Sequence, residues 1–145
     1  MPPAVQDRHA VELARYQQET DPVRKARALA KLGDDQIVLA RKQLKDGEEV
    51  ASLQTIEQYR DEVQQTAAGL KATGIDAVKK PEGFKELQIS LRENVRRIDD
   101  LIFALPVDKR PFFRGVRDDL AKTQNDLIDA LFPSRPDQKS RKTDP

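Results

Sequence analysis

The chain has 145 residues, 37% hydrophobic and 35% charged, with 26 Lys and Arg against 25 Asp and Glu, a single His, no Trp and no Cys. That length suits one domain with a real core, and the lack of Cys excludes disulfides, thiolate metal sites and a cysteine nucleophile. A formal charge of +1 excludes a general pull toward nucleic acid or an anionic membrane, so no nucleic-acid partner is expected.

Residues 1–6 hold two prolines and no periodic pattern, and are expected to be disordered. They carry no basic n-region or apolar h-region, so no complete signal peptide is read there. Asp7 suits the cap of a short first helix bearing Ala10, Val11, Leu13, Ala14 and Tyr16, which fades at Glu19-Thr20. Asp21-Pro22 then restarts the chain with a capping carboxylate and a proline at the first helical position. The second helix carries Val23, Ala26, Ala30, Gly33, Ile37, Ala40 and Leu44 at steps of three and four, and Gly47 stops it. Gly33 inside a helix costs about 1 kcal/mol against Ala. Either the helix bends there or a neighbour packs closely.

Glu48 and Glu49 suit the positive end of a third helix. Its series is Val50, Leu53, Ile56, Val63, Ala67 and Leu70, closing at Gly74, and residues 75–80 form a connector. Pro81 and Glu82 open a fourth helix with Phe84, Leu87, Leu91, Val95, Ile98, Leu101 and Leu105, stopped by Pro106. Asp108 and Pro111 open a fifth, with Phe112, Phe113, Val116, Leu120, Leu127, Ile128 and Leu131 on its face and Pro133 at its end. Residues 134–145 offer no apolar side chain except proline and are expected to form a disordered tail, with Arg135, Lys139, Arg141 and Lys142 diluted by Asp137 and Asp144. No strand pattern competes. The expected fold is all-α: an antiparallel up-down four-helix bundle over residues 7–133, with the short first helix laid across it. No stretch approaches the ~20 apolar residues of a membrane span.

Chemistry is sparse. A di-metal carboxylate bundle needs Glu-x-x-His on two helices, and the one His, His9, lies outside the four long helices. No metal, cofactor or catalytic residue is expected. The acidic pairs, such as Asp99-Asp100 and Asp118-Asp119, point about 100° apart on a helix and do not converge. Arg92 and Arg96, four apart, share a face that suits an anion or an acidic partner, beside Lys85 and Arg97. Glu93 with Arg97, and Arg96 with Asp100, have ion-pairing spacing on that helix. Phe112-Phe113 is the densest aromatic feature. Consecutive aromatics do not share one face, so the pair is read as core, with an exposed partner anchor as the alternative. Arg92, Arg96, Phe112 and Phe113 are the candidate partner surface.

Four segments carry a resemblance. Glu19-Thr20-Asp21-Pro22-Val23 with Lys31-Leu32-Gly33, then Gly83-Phe84-Lys85-Glu86-Leu87-Gln88-Ile89, then Arg97-Ile98-Asp99-Asp100-Leu101-Ile102, and the closing Leu131-Phe132-Pro133 are similar to a group of uncharacterised bacterial all-helical proteins. That group is typical of soil acidobacterial genomes and often predicted to be exported. The resemblance implies export, and a periplasmic or exported protein if the true start lies upstream; otherwise a cytoplasmic one. It supplies no functional residues. The sequence is read as a non-enzymatic helical scaffold or protein-interaction module with a protein partner. The alternative is a small-ligand-binding or regulatory bundle. The core discriminates: a sealed core without converging polar groups favours the first, a cavity lined by Arg or Gln from several helices the second.

Overall fold

Five helices follow one another in the computed structural model, which describes residues 5–133: α1 (Val5–Gln18), α2 (Pro22–Lys45), α3 (Glu49–Ala72), α4 (Glu82–Ala104) and α5 (Arg110–Leu131). Helices take up 85% of these residues, and no strand occurs among them. The bundle read from periodicity is the fold observed. Residues 1–4 and the expected disordered tail, residues 134–145, lie outside the described residues. Val5 and Gln6, expected to be disordered, belong to α1. Asp7 therefore sits in the first turn rather than at the cap.

Most helix boundaries obey local chemistry. Asp21 caps α2 by accepting from the Arg24 N–H at 2.9 Å, with Pro22 opening the helix. Gly47 and Gly74 take positive φ of 81° and 72° where α2 and α3 end, a conformation that costs other residues a clash with Cβ. The connector between α3 and α4 turns on Asp76, whose carboxylate accepts from the Val78 N–H at 2.9 Å. Asp108 does not cap α5. It lies in a 3₁₀ turn, Val107–Lys109, and Pro111 occupies the first turn of the helix that follows.

The helices alternate in direction along the chain. Ser52 bonds the Ala40 carbonyl and Gln36 bonds Glu62, so α2 and α3 run antiparallel. Asp99 meets Arg117, so α4 and α5 do too. Arg27 with Glu86 and Asp34 with Arg97 make α2 and α4 parallel, and Arg60 with Asp119 does the same for α3 and α5. Going around the bundle the order is α2, α3, α5, α4. Two helical hairpins are thus stacked side by side, and the connector after α3 crosses the end of the bundle diagonally. Helix α1 lies against α2, and its Tyr16 reaches over to α3.

Leu32, Ile37, Ile56, Val63, Leu70, Leu87, Leu91, Ile98, Leu120 and Leu127 are sealed in one core. Every residue of the α4 series is buried. Corrections fall at helix ends and on α1. Val50 is 71% exposed, because it stands on the outward stripe of α3 with Gln54 and Gln58, while Ser52 in the same turn is buried against α2. Ala10, Val11 and Ala14 face outward, since α1 is covered on one side only, through Leu13 and Tyr16. Gly33 resolves as close packing. A Cβ there would stand 2.6 Å from the Tyr59 ring and 3.1 Å from the Asn94 amide.

Candidate functional site

Polar groups converge inside the bundle in two places. In the centre, Asn94 of α4 donates to the Tyr59 hydroxyl of α3 at 3.0 Å and accepts from Arg97 at 3.1 Å, and Arg97 reaches Asp34 of α2 at 3.3 Å. Burial pushes the Tyr59 hydroxyl far above its ordinary range, so it stays protonated. Beneath α1, the Tyr16 hydroxyl donates to the Glu62 carbonyl and shares a 2.7 Å bond with Thr66. The Glu62 carboxylate accepts from Gln36 at 2.6 Å and from Gln58 at 3.4 Å. Lys25 lies 4.2 Å over the Tyr16 ring and donates to the Tyr16 and Glu19 carbonyls, tying down the end of α1. These groups are held by one another, except that the buried Gln36 Oε1 has no partner among the described residues. They read as structural.

Desolvation pushes the Glu62 carboxyl above the ordinary carboxylate range; the two glutamines and His9 lower it, and Asp61 raises it. Its neutral form therefore favours folding, an advantage present below the unfolded pKa and lost as pH rises through the folded one. Glu62→Gln is expected to raise the melting temperature at pH 7.5 and to have little effect at pH 4, because the new amide oxygen still accepts from Gln36. An equal shift at both pH values would show that Glu62 titration is not the source.

The four expected partner-surface residues do not come together. Phe113 is buried at 2% exposure while Phe112 is 65% exposed, the outcome of a 100° step between neighbours on one helix. Phe113 is thus core, and Phe112 alone is on the surface, near exposed Phe103 and Val107 at the α4–α5 turn. Arg96 pairs with Glu93 at 2.8 Å rather than Asp100, and Arg97 crosses to Asp34 rather than pairing with Glu93. Side-chain direction decided this: Asn94 and Asp34 stand where Arg97 points, and Glu93 is left to Arg96. Arg92 lies elsewhere, in a groove that Arg96 does not line.

That groove, about 880 Å³, is the site with the clearest capacity to bind. Its α4 wall is Lys85, Gln88, Ile89 and Arg92, and its α5 wall is Ile128, Leu131 and Phe132. Val78 and Pro81 of the diagonal connector close one end. Ile89, Val78 and Phe132 are exposed hydrophobics. Among the described residues the lining holds two cations and no carboxylate. Of the α4 carboxylates, Glu86 is engaged by Arg27 and Glu93 by Arg96, and exposed Glu82, one turn before Lys85, does not line the groove. Other depressions mix charges of both signs. One between α4 and α5 sets Arg110, Arg114 and Arg117 against Asp99 and Asp118. One between α3 and α5 sets Lys71 and Lys122 against Asp119 and Asp126. Sequence reading found Arg92 and Lys85 but not the apolar wall, because it depends on where α5 ends beside the connector.

Among the described residues no three His, Asp or Glu side chains gather as metal ligands, and no helix is long and apolar enough to cross a membrane. EDTA and added divalent cations are expected to leave the melting temperature unchanged, since a structural site needs about four ligands; a large loss in EDTA would contradict this. No protein-family model, curated protein or solved structure matches the chain.

Proposed function

We propose that this chain is a non-enzymatic interaction module that holds a partner protein in the groove between α4 and the end of α5. The observation that supports it is the pairing of an apolar floor with cations that no lining carboxylate answers. An apolar concavity that folding leaves open has hydrophobic free energy still to gain from a partner. Most buried polar groups are engaged with one another. Among the described residues His9 Nε2, Glu12 Oε2, Gln36 Oε1 and Ser90 Oγ are the buried side-chain atoms without a partner, and none of these four residues lines the groove. Kinship with the acidobacterial-type helical proteins belongs to the same reading, supported by residues 83–89, which contribute Lys85, Gln88 and Ile89 to the groove.

The alternative, a small-ligand-binding bundle, draws on the same groove, whose volume lies within the range of small-molecule sites. In-cell photocrosslinking separates the two. A crosslinker at Gln88 is expected to give one protein adduct of defined mass, lost on Arg92→Glu, with none from exposed Gln54 near the other end of the bundle. A tightly held small molecule with no protein adduct would favour the ligand-binding bundle and reject the interaction module.

A further inference from the structure

The walls of the groove have a spacing that narrows its occupant. Lys85, Gln88, Ile89 and Arg92 stand at i, i+3, i+4 and i+7 on α4, and Ile128 and Leu131 stand one turn apart on α5, with Phe132 just past its end in a non-helical conformation. The α4 wall is therefore a single outward stripe of a helix, and the facing wall is the last turn of α5 with its cap residue. Two antiparallel helices side by side form ridges and a trough that accept a third helix. The charge is ordered as well. Lys85 and Arg92 bracket the apolar floor at a separation of roughly 10 Å along the axis, from 1.5 Å of rise per residue.

Resting on the interaction reading above, we propose that the occupant is an acidic amphipathic helix of a partner protein. It places carboxylates at i and i+7 against Lys85 and Arg92, and large apolar residues at i+3 and i+4 against Ile89, Ile128 and Leu131. The chain's own tail is the wrong chemistry for it: residues 134–145 carry four basic residues against two acidic ones and no apolar side chain but proline.

The test is selection from a display library of 16-residue helices randomised at the facing positions, against the full chain. Enriched peptides are expected to carry Asp or Glu at i and i+7 with Leu, Ile or Phe between. They are expected to shift the methyl resonances of Ile89, Ile128 and Leu131, and to bind less tightly as salt is raised. The double variant Lys85→Glu with Arg92→Glu changes two exposed side chains, so its circular dichroism should match the parent. It is expected to weaken the acidic peptides about ten-fold or more and to favour basic ones. Basic or charge-indifferent winners, shifts confined to another face, or laurate occupying the groove while no helix does would each overturn the proposal. A crosslinked protein whose captured segment is not an acidic helix would overturn this inference and leave the interaction reading standing. Selected acidic helices with no protein adduct in cells would overturn the interaction reading, and this inference with it.

Discussion

Replacing Leu91 or Leu120 with alanine is expected to destabilise the bundle by about 2–5 kcal/mol each. Both side chains are at 0% exposure, so truncation loses the transfer free energy of the removed carbons and leaves a void between helices that are too rigid to collapse onto it. In a domain of this size that corresponds to a fall in melting temperature of roughly 10 °C. Ile98 and Leu127, equally sealed, belong to the same series. Val107→Ala is the control: it is 73% exposed, and its effect should stay within about 0.5 kcal/mol. Thermal melts of the set check the assignment of faces. Unchanged melting temperatures for the core variants would mean that the buried face has been misplaced.

Gly33→Ala is expected to destabilise in spite of alanine's advantage of about 1 kcal/mol in a helix. The added Cβ would meet the Tyr59 ring at 2.6 Å. That ring is buried and tethered to Asn94, so it cannot swing aside. Overpacking of this kind costs about 1–3 kcal/mol. In a Tyr59→Leu background the contact is gone, and the same Gly33→Ala change should become neutral or stabilising. A double-mutant cycle by urea denaturation reads the difference as a coupling energy. Additive effects would place the cost in the backbone at Gly33 and remove Tyr59 from the explanation.

These two experiments also mark where the sequence could be read and where it could not. Helix α4 was the better read, since the seven apolar positions of its series are all buried, although Asn94 and Ile102 are buried as well and were not read as core. Helix α3 was read less well. It meets α2 and α5, and Tyr16 of α1 reaches it as well, so buried positions wrap around it and polar residues fall among them. Tyr59, Glu62 and Thr66 are core for that reason, and periodicity of apolar residues has no means of finding a buried glutamate. A clue was present in Gly33, whose cost inside a helix called for a close neighbour; which neighbour it was depended on register between α2 and α3. At the surface, Arg92 was read from its charge, but its role follows from Ile128, Leu131 and Phe132 arriving beside it from the far end of α5. Arg96 has the same charge and nearly the same position, and Glu93 engages it.

The diagonal connector has a consequence for the order of assembly. Within each hairpin, α2 with α3 and α4 with α5, partners lie close in sequence, as Ser52 with Ala40 and Arg117 with Asp99 do at separations of 12 and 18. Between hairpins, partners such as Arg27 with Glu86 and Arg97 with Asp34 lie 59 and 63 positions apart. Closing the longer loops costs more chain entropy, so each hairpin is expected to zip locally before the two halves meet, and the seam between them is the last to form. Pulsed hydrogen–deuterium exchange during refolding should show amides around Ala40 and Ser52 protected before the side-chain seam of Gly33, Tyr59 and Asn94 gains its rigid signature in near-ultraviolet dichroism. Until that moment Tyr59 lacks its tether to Asn94, although Gly33 of the same hairpin already makes room for its ring.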